Sequence, residues 1–339
     1  MEKNVLIQIN EMMSVFFRIL KKNEFSDQKA EKIAEIFTTN SLEGVYTHGV
    51  NRFSRFVRNI RDGYIKPDAE PSLVHRIGSI EQWDGNLGPG PLNAVFATER
   101  AIELAEMNGI GLVALANTNH WMRAGYYGWQ AARKGYVFIG WTNTVANMPA
   151  WGAKDIHLGN NPFVIAVPFE KNAIVLDFAM TQFSYGKMEK YESEGKQLPF
   201  PGGFNKAGKM TTDPGEILET WRALPIGYWK GAGLSLLLDI LATVLSGGLS
   251  TCEITKRKVE YGLSQVFIAI NIKQLHNSPS IENAIQQIIN DLHSSIPESK
   301  ETTIKYPGEK VLNIKEESLK KGIPVNKKIW EEILSLCSE

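Results

Sequence analysis

The sequence predicts an α/β fold of the α+β type, with a mixed-sheet core in the middle of the chain and helical material at both ends. Short runs rich in β-branched and aromatic residues, typical of buried strands, concentrate between residues 109 and 180. Apolar residues at helical spacing dominate the two ends of the chain. The 339 residues contain no internal repeats and no low-complexity segments, and this length predicts one large domain or two interleaved ones.

Composition excludes several classes of function. The 339 residues include 37 Lys plus Arg and 37 Asp plus Glu, so the chain has no net charge. Nucleic acids and acidic membranes normally attract a surplus of positive charge, and we expect neither as a partner. The two cysteines, Cys252 and Cys337, lack metal-site spacing. With no secretory pattern in MEKNVLIQINEMM, we expect a cytoplasmic protein without disulfides or metal.

Two helices are predicted in the first 63 residues. Ser26 is a suitable N-cap for a helix over about residues 27–40, where apolar residues recur at helical spacing. After the loop LEGVYTHG, a second helix is predicted from about Thr47 to Asp62, with Gly63 ending it.

The remaining elements alternate between strand and helix patterns. The predicted strands are GIGLVALA, YVFIGWTN, PFVIAVPF, AIVLDFAM and SQVFIAINI, and the predicted helices include residues 92–107 and YYGWQAARKG. Residues 181–225, rich in Gly, Pro and charge, predict a long ordered loop. The run GLSLLLDILATVLSGG contains Asp239 and predicts a buried helix rather than a membrane span. A helix from Pro279 to about Ser295, with Ser278 as N-cap, and two short helices, the last capped by Asn326, complete the chain.

The segment GVYTHGVNRFSRF carries the first candidate site. Thr47 as N-cap would place His48 in the first turn of a helix and Arg52 one turn later, beside backbone donors that attract an anion. Arg52 could then bind the carboxylate of a 2-keto acid while His48 donates a proton to the neighbouring carbonyl oxygen. A helix start disfavours imidazolium, although a bound carboxylate would partly restore the proton. The alternative is a capping histidine and a solvated arginine.

A second candidate site is NTNHWMRAGYYG, which follows a predicted strand. Ligand sites in α/β proteins collect at the carboxyl ends of strands, so Asn119, His120 and Arg123 are placed to meet polar substrate groups. The alternative is that His120 only satisfies loop backbone. No catalytic Ser/His/Asp order accompanies these residues.

Cofactor signals from spacing alone are weak. No G-x-G-x-x-G follows a strand, and GNLGPGP, residues 85–91, favours an ordinary tight turn. GYWKGAG, residues 227–233, opens a helix with a lysine that either binds a phosphate or is simply solvated. Asp177 ends a strand and could accept from ribose hydroxyls or act as a turn residue.

Several long motifs together resemble a known family. VYTHGVNRF, IEQWDG, NHWMRAGYYGWQAA, WGAKDIHLGNNP, FSYGKME and GYWKGAGLSLLLDILATVLSGG are similar to the type-2 malate/L-lactate dehydrogenase family over about residues 5–330. Trp229, where many relatives have histidine, makes the chain most similar to the branch acting on 2,3-diketo-L-gulonate. The resemblance implies a non-Rossmann fold and a homodimer with its active site near the subunit interface.

The resemblance also implies an activity and a set of residues. The activity is NAD(P)H-dependent reduction of 2,3-diketo-L-gulonate to 3-keto-L-gulonate, with NAD(H) or NADP(H) as cofactor and His48 as proton donor. Arg52 and His120 match positions lining the substrate pocket, and we place Thr47 and Asn119 beside them. The cofactor-binding residues would be Ala173, Ile174, Val175, Leu176, Asp177, Phe178, Ala179, Trp229, Lys230, Gly308, Glu309 and Lys310. The expected domains are a helical one, residues 1–77 plus 275–339, and a cofactor-binding mixed-sheet core, residues 78–274.

Three alternatives remain open from the sequence. The same fold and chemistry could act on malate, lactate, ureidoglycolate or a cyclic imino acid. A sugar-acid lyase or hydrolase could use His48 and His120 as an acid/base pair without a nicotinamide. A catalytically silent protein of this fold could simply bind a sugar acid.

Overall fold

The computed structural model describes residues 4–170 and 172–338 and contains a central sheet beside a helical cluster. Its strands are β1 Asn4–Ile7, β2 Ser72–Ile77, β3 Ile80–Asp84, β4 Ile110–Thr118, β5 Tyr136–Thr142, β6 Ala146–Pro149, β7 Ile156–Gly159, β8 Phe163–Phe169, β9 Asn172–Phe178, β10 Gly203–Phe204, β11 Met210–Thr211, β12 Leu263–Asn271 and β13 Ile323–Asn326. Its α-helices are α1 Ile9–Lys22, α2 Asp27–Leu42, α3 Val50–Arg61, α4 Gly90–Asn108, α5 Ala124–Arg133, α6 Tyr185–Ser193, α7 Pro214–Thr220, α8 Trp229–Ser246, α9 Thr251–Lys256, α10 Ser278–His293, α11 Glu309–Lys321 and α12 Lys327–Ser335.

The central sheet has seven strands in the order β2-β3-β4-β12-β5-β8-β9. Strands β3 and β4 are parallel, and the other neighbours are antiparallel. Helices α4 and α5 pack on one face, with Phe138 and Phe267 buried between them and the sheet. Helix α8 packs on the other face, over Trp141 and Val266. The predicted mixed-sheet α/β fold is confirmed.

The two ends of the chain share one hydrophobic cluster. Strand β1 pairs with β13, with Ile7 opposite Ile323. Phe16 of α1 stacks on Phe53 of α3 with ring centroids 4.0 Å apart, and Trp330 of α12 belongs to the same cluster. The helix that carries Arg52 is therefore held by residues from both ends of the chain.

Four details differ from the sequence predictions. Strand β2 belongs to the central sheet, so the sheet begins at Ser72 and not at residue 78. Residues 181–225 are not a plain loop, because they form α6, α7 and the β10-β11 hairpin around a small apolar cluster of their own. Helix α10 begins at Ser278 itself, with Asn277 as N-cap. Helix α3 begins three residues later than predicted, as described below.

Helix α8 also differs from its prediction, because only its inner side is buried. On that side Leu238 O accepts from Trp141 Nε1 at 3.0 Å, and Asp239 accepts from Asn143 Nδ2 and from the Thr251 amide, both at 2.9 Å. On the outer side Leu237 is 55% and Val244 68% exposed. Among the described residues α8 is the one helix long and apolar enough to cross a membrane, but its polar anchors make it part of the α/β fold.

Candidate active site

The start of α3 fixes His48 in a short turn ahead of the helix. Residues Tyr46–His48 form a 3-10 turn, and Gly49, not Thr47, is the N-cap of α3. Ser41 Oγ accepts from the Val50 amide at 2.8 Å and supplies the missing cap. A Cβ at Gly49 would lie 2.3 Å from that oxygen, so this close approach requires glycine. The predicted N-cap role of Thr47 and the predicted free backbone donors were therefore wrong.

The two predicted histidines lie face to face. The rings of His48 and His120 are nearly parallel, with centroids 5.6 Å apart. Nδ1 of His120 accepts from the Met122 amide at 2.9 Å, so in the neutral ring the proton is on Nε2. Nδ1 of His48 faces the Thr47 hydroxyl at 3.3 Å, and its Nε2 forms no hydrogen bond within residues 4–170 and 172–338. Both rings therefore keep Nε2 for a ligand.

Burial and nearby positive charge keep both rings neutral in the free protein. Desolvation, followed by the charges of Arg52 and Arg123, lowers the pKa of His48 to about 4. Desolvation, followed by Arg52, His48 and Arg55, lowers the pKa of His120 well below its ordinary value. A carboxylate bound at Arg52 would cancel one of these causes and favour protonation.

Arg52 lies beside the two rings with its guanidinium unpaired. No hydrogen bond or ion pair joins this group to any other residue that the structure describes, although Glu260 and Glu189 attract it at longer range. Burial is the main cause that lowers the Arg52 pKa. A buried cation without a partner is costly, and a bound anion would relieve that cost.

Arg52 and His120 line one narrow cleft. Its other lining residues are Arg55, Phe56, Asn59, Ile65, Asn119, Met122 and Glu260. Of the predicted pocket residues, Arg52, His120 and Asn119 thus meet in one place, whereas Thr47 does not line this cleft. The Nδ2 group of Asn119 donates to the carbonyls of Tyr64, Leu87 and Gly88 at 3.0–3.1 Å, so this side chain mainly holds the loops that form the cleft.

Arg123 is buried and ion-paired, so its predicted contact with substrate was wrong. Its Nη1 binds the Glu43 carboxylate, whose other oxygen accepts from Lys315 Nζ at 3.0 Å. Arg123 Nε lies 3.9 Å from Asp177, whose carboxylate accepts from the Gly125 amide at 2.7 Å. This network connects α2, α5, α11 and β9. Asp177 belongs to the strand predicted to bind the cofactor, and Arg123 is near enough to His48 to lower its pKa.

The three predicted cofactor segments converge on β9, which carries Ala173 to Phe178. Pro307 O accepts from the Val175 amide at 3.0 Å, which places Gly308–Lys310, at the start of α11, against the middle of the strand. A Cβ at Gly308 would lie 3.2 Å from the Val175 nitrogen. Ile226 N donates to Met180 O at 2.8 Å, which brings the segment before Trp229 and Lys230 to the residue that follows Ala179, just after β9.

The same region has the chemistry that a dinucleotide needs. Lys230 and Glu309–Lys310 stand at helix starts, where backbone N–H groups and a cation attract phosphate. The Trp229 ring is 63% exposed and lies 5.9 Å from Lys230 Nζ, so it offers a free surface for stacking. Among residues 4–170 and 172–338 no group of three His, Cys, Asp or Glu is arranged to hold a metal ion.

Comparison with known proteins identifies the family. A family model described as malate/L-lactate dehydrogenase matches residues 7–334. The chain belongs to the malate/L-lactate dehydrogenase family. This confirms the resemblance seen in the motifs, and it makes the chain an oxidoreductase of the kind that uses a nicotinamide cofactor.

Individual relatives of this dehydrogenase cover it almost completely. A protein from Salmonella newport named 2,3-diketo-L-gulonate reductase is 43% identical over 331 residues, 97% of this chain and 99% of that protein. The malate dehydrogenase structure from Entamoeba histolytica has a TM-score of 0.93 and 27% identity, covering 99% of this chain and 98% of that one. The sulfolactate dehydrogenase structure from Methanocaldococcus jannaschii has a TM-score of 0.89 and 27% identity, covering 98% and 97%.

Sequence reasoning missed several residues of this dehydrogenase site. Glu43, the partner of Arg123, lies in LEGVYTHG and gives no local signal. Glu260 lies far from α3 in the sequence and lines the cleft only because of the fold. Arg55 and Asn59, three and seven residues after Arg52, could have been found from helical spacing alone.

Proposed function

We propose that this enzyme reduces 2,3-diketo-L-gulonate to 3-keto-L-gulonate with a nicotinamide dinucleotide, His48 being the proton donor. The observation that carries the proposal is the stacked pair of His48 and His120 beside the unpaired Arg52. This arrangement fits an α-keto acid, which presents a carboxylate and an adjacent carbonyl oxygen. The name of the Salmonella newport relative supports the choice of substrate.

Each residue of the cleft has a distinct task in the proposed reaction. Arg52 binds the substrate carboxylate in its planar fork and so orients the neighbouring carbonyl. His120 donates its Nε2–H to an oxygen of the substrate, because the Met122 amide occupies its Nδ1. Substrate binding brings negative charge to His48, which takes up a proton and then donates it to the oxygen on which charge develops. The net reaction consumes one hydride and one proton and converts the ketone to an alcohol.

The bound nicotinamide would supply the hydride. Strand β9, the start of α8 and the start of α11 would hold it, with Lys230 and Lys310 near its phosphates. The proposed cofactor is NAD(H), and the alternative is NADP(H). Measuring the rate with each cofactor tests this choice. In the opposite direction neutral His48 would accept the alcohol proton.

Oxidation of NADH and of NADPH by the purified protein tests the proposal. We expect 2,3-diketo-L-gulonate to be reduced with a higher kcat/KM than pyruvate or oxaloacetate. Preference for another keto acid would keep the chemistry but refute the substrate. Absence of oxidation with every keto acid and both cofactors would refute the proposal and favour a lyase or a binding protein. Tryptophan fluorescence, used to detect cofactor binding, would separate these two from a dehydrogenase, because only the dehydrogenase should bind the cofactor.

We also propose a cytoplasmic homodimer that uses the outer side of α8 as its interface. Leu237, Ile240, Leu241 and Val244 are each at least 43% exposed there, and a continuous apolar surface of this kind usually marks an association site. Trp229 opens the same helix, so the interface would border the cofactor site. Analytical ultracentrifugation should show a dimer that Val244→Glu dissociates, and a monomeric wild type would refute this arrangement.

A further inference from the structure

The cleft that Arg52 and His120 line has three further polar side chains that the mechanism above does not use. They are Arg55 and Asn59 of α3 and Glu260, between α9 and β12, and Glu260 and Arg55 are also the charges with the largest effect on the Arg52 pKa. Oε1 of Glu260 is buried and has no hydrogen-bond partner within the described parts of the chain. The side chains of Arg55 and Asn59 likewise make no hydrogen bond or ion pair to a described residue. These three side chains therefore offer one acceptor and two donors to a ligand beside Arg52.

The segment that carries Glu260 is fixed by ring contacts. The Tyr261 ring lies 5.0 Å from the ring of Tyr64, three residues after the end of α3. On the other side the Arg257 guanidinium is 4.6 Å from the Tyr261 ring. Asn119 Nδ2 in turn donates to Tyr64 O at 3.1 Å, so the segment, α3 and the His120 loop form one support. Glu260 is thus held at the cleft and is not a freely moving surface carboxylate.

A carboxylate at this position distinguishes two classes of keto acid. Hydroxyl groups can donate to its unpaired oxygen, and hydrogen bonds to a charged acceptor are stronger than neutral ones. A second carboxylate on the substrate would instead be repelled by Glu260 at close range, and the attraction of Arg55 offsets this only in part because that side chain is exposed and screened by solvent. Arg55 and Asn59 can donate to the oxygens of the same hydroxyl groups.

We propose that Glu260 is a specificity-determining residue that selects keto acids with hydroxyl groups beyond the reacting carbonyl and rejects dicarboxylic ones. Arg55 and Asn59 complete this set of hydroxyl-binding side chains. The inference rests on the proposed function, which places the substrate carboxylate at Arg52. 2,3-Diketo-L-gulonate carries three hydroxyl groups at the end away from its carboxylate, whereas oxaloacetate carries a second carboxylate there.

The test compares the binding of L-gulonate with that of L-malate, measured by calorimetry. It is run with NADH and, in parallel, with NADPH, because neither alcohol reacts with a reduced cofactor. The proteins are wild type, Glu260→Gln and the control Glu189→Gln. Glu189 also attracts Arg52 at long range but does not line the cleft, so it isolates the effect of charge on Arg52. We expect wild type to bind L-gulonate at least about tenfold more tightly than L-malate.

In Glu260→Gln the ratio of L-gulonate affinity to L-malate affinity should fall by about tenfold or more. In Glu189→Gln this ratio should stay at the wild-type value. An unchanged ratio in Glu260→Gln, an equal fall in Glu189→Gln, or a wild type that prefers L-malate or binds neither acid would overturn the inference. Turnover is measured separately. A wild type with the expected binding ratio but no oxidation of either cofactor would refute the proposed reaction and leave the role of Glu260 supported.

Glu260→Asp keeps the inference testable if Glu260→Gln does not fold. This variant retains the charge but withdraws it by one methylene. It should bind L-gulonate more weakly and still reject L-malate, and gain of L-malate binding would contradict the electrostatic part of the argument. Thermal unfolding of each variant establishes that the fold is intact.

Discussion

The rate of keto-acid reduction should fall about tenfold for each unit of pH between about pH 5 and pH 8 when it is measured as kcat/KM. The reason is the low pKa of His48, about 4, which burial and the charges of Arg52 and Arg123 impose. A group with that pKa carries its proton in about one molecule in ten at pH 5 and about one in a thousand at pH 7. Reduction needs the protonated ring, and kcat/KM reports the enzyme before the keto acid binds.

The reverse reaction should show the opposite behaviour. Oxidation of the hydroxy acid needs neutral His48, so its kcat/KM should be level above about pH 5 and fall only in stronger acid. The kcat for reduction should decline at a higher pH than kcat/KM, since the bound carboxylate favours the protonated ring. Initial rates in both directions across this range, with His48→Gln as a control, measure the profiles. A reduction kcat/KM that does not change with pH would refute the assignment of His48 as a neutral group that is protonated on binding.

Three further predictions concern single residues. His48→Gln should lower kcat by about 10²-fold or more in a folded enzyme, and near-normal turnover would exclude it as the proton donor. Arg52→Lys should raise KM more than it lowers kcat, because a point charge replaces a planar fork, whereas a loss confined to kcat would argue against carboxylate binding. The low pKa of His48 means that the unfolded chain binds the proton first as the pH falls, so His48 alone should lower the unfolding free energy by about 2 kcal/mol between about pH 7 and pH 5. Urea unfolding should show a smaller drop in His48→Gln, and an equal drop in both proteins would contradict this reasoning.

The sequence predicted the central sheet, most helices and the meeting of His48, Arg52 and His120. These features depend on local periodicity, on strand composition and on motifs long enough to reveal the family. The sequence did not predict how α3 begins, because its cap is Ser41, a residue of the preceding helix that comes close only through Gly49. Local capping rules favoured Thr47, whose hydroxyl in fact faces the His48 ring.

Contacts between distant segments account for the other differences. Arg123 looked free in its loop, but its ion pair with Glu43 spans 80 positions and forms only in the folded protein. Helix α8 was predicted to be buried because its run is apolar on every side. Hydropathy reports that a side chain avoids water but not what covers it, and Leu237, Ile240 and Val244 of this helix face outward in a single chain.

The pairing of β1 with β13 joins two segments that are synthesised far apart in time. Asn4 leaves the ribosome 322 residues before its partner Asn326, and at a typical rate of synthesis the interval is roughly 15 to 60 s. During that time the apolar faces of α1, α2 and α3 lack Ile323, Trp330 and Ile333, which complete their cluster in the finished protein. The nascent chain is thus exposed to aggregation and to chaperones for most of its synthesis. The cluster that supports α3, the helix of Arg52, is therefore complete only when residues 323–333 have been made.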